Sequence, residues 1–94
     1  MRQGTVKVVN VLGLHARAAG QLVRVAKGFK SRIRLVRCDG RAEADAKSML
    51  SVLALAAAFD TLLEIQAEGE DEAEALEAVG ELFADGFGEI ELLT

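Results

Sequence analysis

"SRIRLVRCDGRAEADA", residues 31–46, decides the fold. Arg32 and Arg34 alternate with Ile33 and Leu35, the period of a strand with one wet face and one dry face. "CDG" (38–40) follows, and Asp-Gly supplies the positive φ angles of a tight hairpin turn. "RAEADA" (41–46) then alternates charge with alanine and reads as a short return strand. A lone hairpin is marginal in water, so these two strands need further strands and a helical cover.

Working upstream, "ARAAGQLVRVAKG" (16–28) reads as a helix with Leu22, Val23 and Ala26 on one side and Gly28 stopping it. "TVKVVN" (5–10) is Val-rich and reads as a strand. Downstream, "SMLSVLALAAA" (48–58) follows a serine suited to capping and reads as a helix. Its Val52 and Leu55 point inward, leaving Met49, Leu50 and Leu53 partly exposed. Phe59 and Asp60 break that pattern. "TLLEIQAEG" (61–69) alternates, with Leu63 and Ile65 inward.

"EDEAEALEAVGELFADG" (70–86) carries acids in its first turn, where the helix dipole favours them. Ala73, Leu76, Gly80 and Phe83 form its expected inward stripe and Gly86 its C-cap. The expected class is α+β, a two-layer open-faced sandwich in the order β-α-β-β-α-β-α. Helices cover one face of a four-stranded, mostly antiparallel sheet. One domain, 1–94, is expected, with 88–94 a short C-terminal tail of no assigned structure.

Composition narrows the function. Residues 1–41 hold ten Lys/Arg and one acid, whereas 42–94 hold one Lys and fourteen acids. The whole chain is nonetheless acidic, with a sequence pI of about 4.9, and no aromatic residue is interleaved with the basic ones before Phe29. That argues against nucleic acid and for a basic face meeting an acidic protein. No apolar run reaches the roughly 18 residues of a membrane span, so no membrane insertion is expected. One cysteine, Cys38, excludes an internal disulfide, and a cytoplasmic location is the simplest reading.

The chemistry concentrates in "VLGLHARAAG" (11–20), which holds the only histidine. His15 falls at or just before a helix N-terminus, where unpaired N–H groups and the dipole attract anions. Arg17 adds a planar cation in the first turn. Both disfavour a protonated imidazole, and a neutral imidazole is a nucleophile. A phosphoryl group carried on the ring would meet the backbone N–H groups of Ala16 and Arg17 and the Arg17 guanidinium. Gly13 and Gly20 are expected to leave room around the ring. The plain alternative is a surface or capping histidine. One His and one distant Cys make no metal site, no cofactor is indicated, and no Ser-His-Asp partners can be placed.

"GLHARAAG" resembles the active-site segment of HPr, the histidine phosphocarrier family of the bacterial phosphoenolpyruvate-dependent sugar phosphotransferase system. "AKSMLSVLALA" (46–56), "VAKGF" (25–29) and "AEGEDE" (67–72) are similar to further family segments, in the same order. The resemblance implies that His15 accepts phosphate on Nδ1 from Enzyme I and passes it to IIA proteins or domains of sugar permeases. It implies that Arg17 neighbours the phosphate and that Ser48 is the serine phosphorylated in some bacteria by HPr kinase/phosphorylase. It implies a phosphoryl carrier rather than a free-standing enzyme, acting as a monomer. Ala18 departs from the family's usual proline after the arginine and leaves one more N–H near the site.

Arg17, Arg24 and Lys27 share one helix face beside His15. With Lys47, Met49, Leu50 and Leu53 they form the expected partner surface, an apolar patch ringed by positive charge. Ser48 is also a natural N-cap for Leu50 or Ser51. Two rivals remain open. One is a regulatory or nitrogen-branch paralogue on the same fold. The other is a small α+β module that uses Arg17 to bind an anion and never phosphorylates His15.

Overall fold

The computed structural model describes residues 1–89. Its elements run β1 (Arg2–Lys7), α1 (Ala16–Lys27), β2 (Arg32–Arg37), β3 (Glu43–Asp45), α2 (Met49–Ala54), β4 (Leu62–Glu68) and α3 (Glu72–Ala84), closed by a 3-10 turn, Gly86–Gly88. The four strands form one antiparallel sheet in the order β1-β4-β2-β3. The helices bury Leu22, Val23, Val52, Val79 and Phe83 over Ile33, Leu35, Leu63 and Ile65 on a single face. This is the open-faced α+β sandwich expected from the pattern.

The hairpin behaves as its sequence dictates. Gly40 takes φ +77°, and Arg37 N–H donates to Ala42 O at 2.9 Å. Ile33, Leu35 and Ala44 are buried, while Arg32 faces solvent. Gly28 caps α1 as anticipated.

Three boundaries differ for physical reasons. β1 begins at Arg2 rather than Thr5, because β4 offers partners along its whole length, from Arg2 opposite Ala67 to Lys7 opposite Leu62. The chain leaves the strand after Lys7 to build the loop that presents His15.

α2 ends at Ala54, not Ala58. Leu55 caps it, and Ala56 turns left-handed at φ +53°. Arg37 then donates from Nη1 to the carbonyls of Leu55 and Ala56 at 3.2 and 3.1 Å, satisfying groups a longer helix would have used itself.

The buried stripe of α3 is Ala75, Val79 and Phe83, with Leu76 partly buried; Ala73 is exposed. Asp71 sets this rotation. Its carboxylate accepts the N–H groups of Lys30 and Ser31, at 2.8 and 2.9 Å, and the Ser31 hydroxyl. The start of α3 is thereby tied to the start of β2. Asp85, not Gly86, caps the C-terminus of α3.

Beyond it Gly86, Phe87 and Gly88 all adopt positive φ, of 60°, 58° and 71°. Phe87 is no glycine, and its left-handed backbone costs on the order of 1–3 kcal/mol. Its ring offsets this by burying edge-on against Phe83, with centroids 5.0 Å apart, a pairing worth about 0.5–1.5 kcal/mol beyond area. The turn redirects the chain toward the N-terminus of α1. Of the expected tail, Gly88 and Glu89 are therefore structured; 90–94 lie outside the described residues.

Candidate functional site

His15 is the N-cap of α1. Its backbone is extended, its C=O accepts the first helical bond from Ala19 N–H at 2.8 Å, and its ring Nδ1 accepts from Arg17 N–H at 3.3 Å. A capping side chain must point along the helix start, so the cap fixes which nitrogen faces the positive helix end.

The loop before it is braced against 57–58. Leu14 N–H donates to Ala57 O at 2.9 Å. Gly13, at φ +68°, lets the loop lie against 57–58, where any Cβ would stand 2.7 Å from Ala57 O. Gly13 therefore makes room for backbone, not for the imidazole. Nothing crowds Gly20 within 4 Å.

The second ring nitrogen, Nε2, is hydrogen-bonded to the Glu89 carboxylate. Glu89 is delivered by the left-handed turn after α3, and only a tenth of its side chain is exposed. Asn10, itself buried, shares its amide between Gly13 O at 2.8 Å and Glu89 Oε1 at 3.0 Å. The Arg17 guanidinium lies 3.6 Å from Glu89 Oε2. Burial pushes the Glu89 carboxyl up, but hydrogen bonds from His15 and Asn10 and the charges of His15 and Arg17 outweigh it. The net direction is below the ordinary carboxylate value.

Neither Glu89 nor Asn10 figured among the residues expected from sequence. The available signal was weak: a glycine-flanked phenylalanine before Glu89, and an asparagine ending a valine run. Arg17 lies next to His15 with its guanidinium on Glu89, and only its backbone N–H meets Nδ1.

His15 borders a shallow depression of about 220 Å³, shared with Leu12, Leu14, Ala56, Ala57 and Ala58. That is smaller than the roughly 300–1,000 Å³ of pockets that engulf small molecules. A larger cleft of about 590 Å³, lined by Lys30, Arg32, Asp45, Lys47 and Glu68, shares none of these residues and mixes both signs of charge. Among the described residues no cluster of three metal-ligating side chains occurs, and no helix is long and apolar enough to cross a membrane.

Ser48 caps α2, its hydroxyl accepting from Ser51 N–H at 3.2 Å. Arg24 and Lys27 are exposed on α1, and Met49, Leu50 and Leu53 on α2, with Leu50 81% exposed. Lys47 is only half-exposed and donates its ammonium to Phe29 O at 2.7 Å, so its charge is partly spent inside the fold. Val11 and Leu12, both about two-thirds exposed in the loop before His15, are further exposed apolar residues not named from sequence.

The family description "PTS HPr component phosphorylation site" matches residues 2–85. The phosphocarrier protein HPr of Neisseria meningitidis serogroup A is 38% identical over 89 residues, covering 95% of this chain and 98% of that protein. The phosphocarrier protein NPr of Escherichia coli K12 is 42% identical over 85 residues, covering 90% and 93%. Among solved structures, HPr-C-His from Thermoanaerobacter tengcongensis superposes with a TM-score of 0.88 at 34% identity, over 95% of this chain and 98% of that one.

Proposed function

This chain belongs to the HPr phosphocarrier family of the phosphotransferase system, and from that premise we propose that His15 accepts a phosphoryl group on Nδ1 from phospho-Enzyme I and passes it to IIA proteins or domains. One observation carries the assignment to Nδ1. That nitrogen faces the N-terminus of α1, while Nε2 is already occupied by Glu89.

The N–H of Arg17 is a long, weak donor to Nδ1. Once the lone pair attacks phosphorus, this N–H and that of Ala16 turn to the phosphoryl oxygens. The Arg17 guanidinium, 68% exposed, swings from Glu89 to join them. The helix end contributes about 0.3–1 kcal/mol and a charged hydrogen bond about 1.5–3 kcal/mol. Moderate holding suits a group that must leave again. The open, shallow site suits a carrier whose phosphoryl group is reached by large partners rather than an enzyme enclosing a substrate.

Arg24 and Lys27 on α1, with Lys47, Met49, Leu50 and Leu53 around α2, would form the docking surface of a monomer for both partners. A phosphate on Ser48, written there by HPr kinase/phosphorylase, would keep its helix N-terminus but place negative charge where acidic partners dock.

The test is incubation with Enzyme I and phosphoenolpyruvate, read by intact mass. One acid-labile phosphoryl group is expected on the wild type and none on His15→Ala. An unchanged wild-type mass with every cognate Enzyme I rejects the reading. If the chain were only an anion-binding module, His15→Ala would retain anion binding and the wild type would never gain phosphate. The similarity to NPr favours a second reading, a nitrogen-branch carrier. Comparing rates with the sugar-type and nitrogen-type Enzyme I distinguishes the branches.

A further inference from the structure

Glu89 is an almost covered carboxylate held at one ring nitrogen by several separate devices. Asn10 donates to Oε1 at 3.0 Å, Arg17 lies 3.6 Å from Oε2, and Phe87 pins the turn that carries it. Capping α1 needs none of these, because Nδ1 alone performs that task. Among the described residues, the charged groups about the ring are Glu89 from the C-terminal turn and Arg17 from α1. The 10–14 loop brings Asn10, and 56–58 brings only alanines.

We infer that Glu89 is the positioning residue of the transfer: it retains the proton on Nε2, so that Nδ1 presents its lone pair, and it balances the positive ring formed when Nδ1 carries a phosphoryl group. The inference rests on the carrier reading above. In the step, the Nδ1 lone pair forms the N–P bond as the bond from phosphorus to the donor breaks, and the donor keeps that electron pair. The ring becomes cationic with its Nε2 proton still in place, facing Glu89. Onward transfer returns the N–P electrons to Nδ1 and restores the neutral ring. No proton leaves in either direction, so the cycle needs no general base.

The experiment uses the full chain with 15N-labelled histidine and phosphoramidate, a small N–P donor that needs no docking surface. Wild type, Glu89→Gln and Glu89→Ala are phosphorylated, then followed across pH by ring 15N shifts and by the rate of phosphoryl loss. The wild-type phosphorylated ring is expected to keep its Nε2 proton to a pH about one to two units higher than either variant. The falling limb of the hydrolysis profile should move by the same amount. Superimposable profiles in all three proteins overturn the role of Glu89 while leaving the carrier intact. A wild type that takes no phosphoryl group refutes the carrier reading and this inference with it.

Discussion

Replacing Gly13 with alanine tests how the loop before His15 is held. The new Cβ would lie 2.7 Å from Ala57 O and 3.0 Å from Ala58 Cα, both backbone atoms with no side chain to yield. A left-handed alanine costs about 1–2 kcal/mol. Pushing 57–58 away also strains the Leu14 N–H to Ala57 O bond, 2.9 Å long, worth about 0.5–1.5 kcal/mol. The expected loss is therefore about 2–3 kcal/mol, a fall in Tm of roughly 10–20 °C for a domain this size. Urea unfolding followed by circular dichroism measures it. Gly20→Ala is the comparison, since its Cβ meets nothing within 4 Å and alanine in a helix gains about 0.5–1 kcal/mol. Loss of less than 1 kcal/mol in Gly13→Ala would refute the account of the loop as wedged against 57–58.

Other outcomes follow from the same geometry. Ala56→Gly relieves the exposed left-handed alanine after α2 and should stabilise by about 0.5–1 kcal/mol in the same assay, after the greater freedom of the unfolded glycine is deducted. The bond from the Ser31 hydroxyl, with those from nearby backbone N–H groups, holds the Asp71 carboxyl at about 2 rather than 3.8. Its folded value is depressed, so its contribution is full above about pH 4 and is lost as pH falls toward 2. Asp71→Asn should lower stability at neutral pH and flatten that acid limb, seen in urea midpoints from pH 2 to 6. Ser48→Asp keeps a good N-cap, so its stability should stay within about 0.5 kcal/mol of wild type. Phosphoryl uptake from Enzyme I should nonetheless slow, by the mass assay under single-turnover conditions. Arg24→Glu with Lys27→Glu should slow that uptake at low salt and approach wild type at high salt, because rim charges act mainly on association.

The sheet and its helical cover were legible because their signals are local and periodic. Arg32 to Arg37 alternates, α1 keeps Leu22, Val23 and Ala26 on one side, and Gly28 ends it. The end of α2 was not legible, since "LALAAA" is excellent helix sequence. Arg37, from a different strand, rewards the chain for stopping at Ala54. The face of α3 is ambiguous in sequence for a similar reason. Its alanines permit several rotations, and a carboxylate bonding across to Ser31 selects one. His15 and Arg17 could be placed because a helix start announces itself in sequence. Glu89 could not, because it arrives from 74 positions away through a turn with three consecutive left-handed residues. Only burial of Phe87 makes such a turn tolerable.

β4 occupies an interior lane of the sheet, with β1 on one flank and β2 on the other, yet it is translated last of the four. Until Glu68 has left the ribosome, β1 has no ladder to join and the β2–β3 hairpin has no neighbour. A nascent chain stalled before that point displays the edge of β2 that β4 pairs with, an open ladder and a temptation to aggregate. Arrival of one seven-residue segment then closes pairings between residues as far apart as Arg2 and Ala67. Synthesis should thus end in a single late collapse, rather than a gradual accretion of structure from the amino terminus.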